Sequence, residues 1–417
     1  MLLTQLQVND WNQFENISIN FHPKLTVITG ANGSGKSTLI RLIGRIIGWQ
    51  YNENGIPSSK KFKLRGRFNS GIRSSRLNFD NDTTNTQIGS IKTETGGYKI
   101  FVPTHSENAV YNVFWQHEGT TGNLNGLNIP SHRLPYSYKK LNSIPVKPQS
   151  KKEAFNHFTN SVKKRFLQNQ YYNPQDDDPT LHMKSTMMSL AVFGKGNEHV
   201  SSDKEAYDLF LGFVEVLKML LPPSLGFNNI HIKDGEILLI TDTGDFLLDS
   251  VSGGIGAIID LAWQIYMYDE GKSENFIVLI DEAENHLHAS MQRSLLPDLI
   301  KAFPNAQFII STHSPFMVNS VQDSSVYALS YNENKLVCSQ ALDFENKTAN
   351  AAEILRDVLG VPVTFPIWVE HEIKKVIERY SNTELNAENY IQLKLDLSEY
   401  GLSEYLPQAL SFMRGGN

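Results

Sequence analysis

The chain has 417 residues, 40% of them apolar and 20% charged, and a formal net charge of −6. This is ordinary globular usage, long enough for one large or two moderate cores; it excludes bulk disorder and argues against a protein that coats nucleic acid over its whole surface. One cysteine, Cys338, leaves no internal disulfide and no cysteine-based zinc cluster. The start of the chain lacks a basic region followed by an apolar stretch, and apolar runs such as residues 276–280 are far shorter than the roughly 20 residues that cross a bilayer. A cytoplasmic protein with no membrane contact is expected.

Residues 2–8 and 17–21 read as strands. Leu25-Thr26-Val27-Ile28-Thr29 is a further apolar strand that runs straight into Gly30-Ala31-Asn32-Gly33-Ser34-Gly35-Lys36-Ser37, a complete GxxxxGK[ST] loop, and a helix starts at Thr38. Glycines let successive backbone N–H groups converge, and the helix N-terminus adds its positive end, so a polyphosphate meets donors and a favourable field together. Gly30, Asn32, Gly33, Ser34, Gly35, Lys36, Ser37 and Thr38 are the expected phosphate-binding positions. Lys36 is expected on the β/γ-phosphates and Ser37 on Mg²⁺.

Far more chain separates Lys36 from the next motif than one α/β lobe of about 100–200 residues needs, so something is inserted. Residues 86–133 read as an antiparallel meander with a turn at Gly96-Gly97. Residues 150–221 read as helices, notably 151–167 and 206–221, split by the turn-rich residues 173–179. Residues 229–248 form a second meander with turns at Asp234-Gly235 and Thr243-Gly244. Two stretches are basic: residues 60–76 carry seven cations and no acid, with Phe62 and Phe68 interleaved, and residues 139–165 carry eight cations against Glu153 alone. Either is a candidate DNA or RNA contact or a solvated rim.

Asp249-Ser250-Val251-Ser252-Gly253-Gly254 opens an amphipathic helix, so Ser252, Gly253 and Gly254 offer a second anion-binding N-terminus or a flexible linker before a core helix. Phe276-Ile277-Val278-Leu279-Ile280 reads as a buried parallel strand ending in Asp281-Glu282, where ligands sit in open α/β sheets. Asp281 is expected to hold Mg²⁺ through water, and Glu282 to polarise the attacking water. A helix follows, with Pro297 inside it, and then Phe308-Ile309-Ile310-Ser311-Thr312-His313. The order strand, helix, strand places His313 beside Asp281, within reach of a γ-phosphate.

These motifs together resemble the ABC-type ATPases, specifically the non-transporter branch of SMC, Rad50, RecF and OLD-like proteins. Asp281-Glu282-Ala283-Glu284-Asn285-His286-Leu287-His288 is similar to the Asp-Glu-Pro-Glu-x-His-Leu-His of the OLD-like ATPases. The resemblance implies an α/β fold: a P-loop ATPase head with a mixed sheet, an antiparallel β subdomain and a short helical insertion. It implies bound ATP and Mg²⁺, and a homodimer or higher homo-oligomer that sandwiches ATP, with Ser252 and Gly254 acting in trans. Val251 and Ile255 depart from the flanking Leu and Gln of the family signature, and His288 stands where many relatives carry the aspartate of the inter-subunit loop. The glutamine that ligands Mg²⁺ in the family has two candidate places here, Gln116 and Ser131-His132-Arg133.

The expected organisation is an N-terminal lobe at 1–140, a helical insertion at 141–225, a C-terminal lobe at 226–345 and a helical segment at 346–417, with helices at 351–359 and 368–380. A helix of 17 residues spans some 25 Å at roughly 1.5 Å per residue, too short for the arms of SMC and Rad50 proteins. OLD-like nucleases continue into a metal-binding Toprim domain, but Asp396 stands alone where an Asp-x-Asp pair is needed, and Glu370, His371 and Glu372 cannot share one helix face. No nuclease is expected within the chain. The resemblance is strongest to stand-alone AAA ATPases of bacterial anti-phage systems such as PARIS and Septu, which pair the ATPase with a Toprim-like or HNH nuclease. It implies a sensor or scaffold that controls such an effector. The alternative is a RecF-like DNA-repair clamp, and a transporter motor is least favoured.

Overall fold

The structure is a computed structural model, and it describes residues 1–57, 68–73, 84–119, 124–133, 136–167, 178–271, 274–343, 353–354, 367–380, 387–399 and 401–413. Most of the basic stretch 60–76, the expected turn at 173–179 up to residue 177, and most of the expected helix at 351–359 lie outside the described residues.

The chain divides into two compact units, Met1–Thr348 and Ala349–Asn417. The first is built on β1 (Leu3–Trp11), β2 (Phe14–Asn20), β3 (Leu25–Gly30), α1 (Lys36–Ile46), β4 (Asn85–Thr93), β5 (Gly96–Pro103), β6 (Phe114–Gly119) and β7 (Gly126–Ile129). The insertion follows as α2 (Lys151–Leu167), α3 (Pro179–Lys195) and α4 (Lys204–Leu220), then β8 (Phe227–Lys233) and β9 (Glu236–Thr241). The remainder is α5 (Gly253–Tyr268), β10 (Phe276–Ile280), α6 (Ala289–Ala302), β11 (Ala306–Ser311), β12 (Ser325–Tyr331) and β13 (Val337–Ala341).

Eleven of these strands make one mixed sheet in the order β6-β5-β4-β1-β2-β13-β12-β3-β11-β10-β7. Its first five strands are antiparallel neighbours, and β12, β3, β11, β10 and β7 run parallel. Every residue of β3, β10 and β11 is buried, as parallel strands with both faces covered must be. Ile28, Ile277, Leu279 and Ile309 join the core that holds Leu39, Ile40, Leu42 and Ile43 of α1. The alternate residues Val27, Val278, Ile280, Phe308 and Ile310 are buried on the other face.

Two expectations are corrected here. Residues 126–129 leave the meander and pair parallel with β10 at the opposite edge, Ile129 beside Ile280; Leu127, Asn128 and Ile129 are all buried, which an exposed meander edge does not provide. The first hairpin turns at Glu94-Thr95, because Thr93 exchanges side-chain hydrogen bonds with Gly96 and both glycines belong to β5.

In the insertion, α2 starts on a capping box. The Ser150 Oγ accepts from the Glu153 N–H at 3.4 Å, and Glu153 accepts from the Ser150 N–H at 2.9 Å. The helices α2 and α4 pack against α5, where Phe213 meets Trp263 edge-on at 5.0 Å. A three-stranded sheet of β8, β9 and Phe246–Leu247 follows. The second unit contains α7 (Ile367–Glu378), α8 (Ala387–Glu399) and α9 (Leu406–Met413) around Val369, Ile373, Val376, Leu393, Leu397 and Ala409. No helix among the described residues is long and apolar enough to cross a membrane.

Candidate nucleotide site

The loop from β3 to α1 turns on glycines that no other residue replaces without strain. Gly30 has φ 144°, and a Cβ there would lie 2.5 Å from the Leu329 carbonyl oxygen; Gly35 has φ 95°, and a Cβ would lie 2.5 Å from the Phe14 ring. Asn32 and Gly33 are exposed, Ser37 and Thr38 half-buried. Ser34 is fully buried, and its Oγ meets no partner. Lys36 is 4% exposed. Its Nζ donates to the carbonyl oxygens of Gly30 at 2.9 Å and Ala31 at 3.0 Å. Burial lowers its pKa to about 8, against the opposing fields of Glu284, Glu282 and Asp281.

The acidic side comes from β10, which carries Asp281 and Glu282 to the end of the sheet beside β11. Asp281 is 8% exposed, and its Oδ1 accepts from Ser37 Oγ at 3.0 Å and from Ser311 Oγ at 2.5 Å. Burial pushes its carboxyl up, partly offset by those two hydrogen bonds. Ser311 Oγ also accepts from the Glu282 N–H at 2.8 Å. Glu282 takes φ 48°, a left-handed conformation that side-chain-bearing residues adopt only when their surroundings enforce it. Its Oε2 accepts from Asn285 Nδ2 at 2.8 Å. Beyond β11, the His313 N–H donates to Glu284 Oε1 at 2.5 Å. Burial and the charge of Lys36 hold the His313 pKa below its ordinary value, while Glu284 and Glu282 pull it up. Lys36, Ser37, Asp281, Glu282 and His313 therefore lie together at the carboxyl ends of β3, β11 and β10, where open α/β sheets bind ligands.

Ser252 caps α5, its Oγ accepting from the Ile255 N–H at 3.5 Å. Ser252 and Gly253 are exposed. A Cβ on Gly254 would sit 2.9 Å from the carbonyl oxygen of His286, so this turn lies against the segment that follows Glu284. The two candidates for a metal-binding glutamine part company. Gln116 lies on β6, the outermost antiparallel strand. Ser131 and Arg133 follow β7 beside the acidic turn: Asn285 Nδ2 donates to the Ser131 carbonyl oxygen at 3.0 Å, and Arg133 Nη1 to that of Asn285 at 3.1 Å. Of the basic stretch 139–165, Lys139 pairs with Asp178, Lys151 donates to the Asp269 carbonyl oxygen, and Lys163 donates to that of Gly48. These cations are held within the chain.

The donor set suits a magnesium nucleotide. A buried hydroxyl without a partner, a buried ammonium and the N-terminal N–H groups of α1 surround the loop. Ser37 and Asp281 offer hard oxygen ligands of the kind Mg²⁺ takes. The sequence model of the family described as "AAA domain, putative AbiEii toxin, Type IV TA system" matches residues 25–319, which span the loop, the acidic strand and His313. The chain belongs to this AAA family. A second model, "P-loop containing region of AAA domain", matches residues 3–46. Septu protein PtuA of Bacillus thuringiensis is 24% identical over 416 residues, covering 95% of this chain and 94% of that protein. Retron Ec83 probable ATPase of Escherichia coli is 28% identical over 167 residues, 38% of this chain and 29% of that protein. A solved SMC head bound to the C-winged helix domain of ScpA aligns with TM-score 0.46 and 15% identity, over 83% of this chain and 98% of that one.

Two residues of this AAA site escaped the motif reading. Ser311 was legible in principle: parallel pairing of Ile280 with Ile310 sets the next residues, Asp281 and Ser311, side by side. Glu284 stood in the stretch that resembles the OLD-like motif but was given no role, because its contact with the His313 backbone depends on how the turn after Glu282 folds.

Proposed function

We propose that this AAA protein binds ATP with Mg²⁺, hydrolyses it, and acts as an assembly switch for a separate effector in anti-phage defence. The observation that carries the reading is the clustering of Lys36, Ser37, Asp281, Glu282 and His313 at one end of the sheet. Full-length similarity to a Septu protein supports the setting. Bound Mg-ATP would supply the phosphoryl group and part of the neutralising charge. Lys36 would leave the carbonyls of Gly30 and Ala31 for the phosphates, and Ser37 and Asp281 would hold the metal. Glu282, oriented by Asn285 and by its backbone bond to Ser311, would position a water and accept its proton. His313, kept largely neutral by burial and by Lys36, would donate or accept a hydrogen bond at the terminal phosphate.

Ser252 and Gly253 are exposed and Gly254 is half-buried against the His286 segment, which suits contact with the nucleotide of a second copy. Closure by ATP and release on hydrolysis give two states that a trigger can bias. The effector we propose is a Toprim-like or HNH nuclease. The internal engagement of Lys139, Lys151 and Lys163 favours this reading over a RecF-like clamp. The test is light scattering on Glu282→Gln. Assembly with Mg-ATP alone supports the switch; assembly only with a DNA duplex supports the clamp; a monomer under every condition refutes both.

A further inference from the structure

We propose that the cavity between the helical insertion and α5 is a binding site for a free phosphate-type oxyanion, distinct from the nucleotide loop. Its polar lining comes from the segment after β7 (His132 and Arg133), from α2 (Arg165), from the start of α3 (Thr180) and from α5 (Asp260 and Gln264). Arg133 is 7% exposed. Its Nη1 is engaged by the carbonyl oxygens of Asn285 at 3.1 Å and Ala283 at 3.5 Å, while Nε and Nη2 are buried without an acceptor. Arg165 presents a second buried guanidinium nitrogen, Nη1, with no acceptor. Buried donors without partners are costly and uncommon in folded proteins, and two guanidinium groups on one cavity match an oxyanion's geometry and charge.

Asp260, the acid among these residues, hydrogen-bonds neither arginine, although the charge of Arg133 acts on it; it accepts from the Tyr136 hydroxyl at 2.9 Å. Burial pushes its pKa up to about 7, so near neutrality it carries only part of a charge that would repel an anion. The cavity volume is ≈ 30 Å³. On the scale where about 10–15 Å³ holds one water, this is space for about two waters, which excludes a nucleoside and takes a tetrahedral oxyanion only with its oxygens directly against the lining donors. The anion would bridge α2 of the insertion to Arg133, whose other nitrogen holds the carbonyls just behind Glu282. Its occupancy would therefore be felt at the acidic turn.

The test is calorimetric titration of inorganic phosphate, and separately of sulfate, into the full chain carrying Lys36→Ala, which removes the ammonium of the nucleotide loop. Saturable binding is expected there. It should weaken by about tenfold or more when Arg165→Gln is added, and by less with Arg165→Lys, which keeps the charge but loses the fork. Circular dichroism checks that each variant is folded. No saturable binding to Lys36→Ala, or equal binding to the Arg165→Gln double variant, overturns the proposal. Neither outcome touches the nucleotide reading, which is decided by ATP binding to the unaltered protein.

Discussion

Ser311→Ala tests the positioning of the acidic pair. The Ser311 hydroxyl is fully buried at the end of β11, donates to Asp281 Oδ1 at 2.5 Å and accepts from the Glu282 N–H at 2.8 Å. Alanine removes both bonds without opening a path for water. A bond to a charged group contributes about 1.5–3 kcal/mol and a neutral one about 0.5–1.5 kcal/mol, so the loss is about 2–4.5 kcal/mol, shared between folding and the transition state. If half falls on the chemical step, kcat for ATP drops by about 5–50-fold. KM should stay within about threefold, because Gly30 to Ser37 still cradle the phosphates. The Asp281 carboxyl, already raised by burial, loses one of the two hydrogen bonds that oppose the rise. It then stays protonated to higher pH, and the acid limb of the Mg²⁺-dependent activity moves upward. Steady-state phosphate release against pH measures all three quantities, and Ser311→Thr, which keeps the hydroxyl, should recover part of the rate. A wild-type kcat and pH profile in Ser311→Ala, or a loss confined to KM, refutes the reasoning.

Three further outcomes are expected. ATP affinity should weaken as pH rises through about 8, since burial lowers the Lys36 ammonium to about 8 and only its charged form attracts phosphate; nucleotide titrations across about pH 7–10 check this, and Lys36→Arg should remove the limb. Asp260 has its pKa raised by burial from 3.8 to about 7, so the native state binds the extra proton between these values and stability falls as pH rises through that window. Asp260→Asn should melt above the wild type beyond about pH 7, the gap closing towards pH 4, and equal melting curves at all pH would count against a buried acid there. Lys184 and Asp249, each with 1% side-chain exposure, form an ion pair between α3 and the approach to Ser252. Lys184→Met should cost about 3–5 kcal/mol in urea unfolding by stranding the carboxylate, and Lys184→Met with Asp249→Leu should recover much of it; additive losses would mean the two do not act as a pair.

The amino-acid sequence alone determined the loop at Gly30 to Ser37, the acidic end of β10 and the polar end of β11. These are local features: glycines at positive φ, continuous apolar runs that demand two covered faces, and polar residues at the strand ends. The antiparallel hairpins were legible for the same reason, apart from the exact turn at Glu94-Thr95, which a Thr93 side chain decides. Tertiary structure alone decided that residues 126–129 cross to the edge beside β10, that Arg133 rather than Gln116 approaches the acidic turn, and that Lys184 meets Asp249. Each depends on which distant segments share a face, a matter of packing between elements that alternation and helical spacing leave open. Ser311 lies between the two cases: its place beside Asp281 follows from a one-residue parallel register that only the folded sheet establishes.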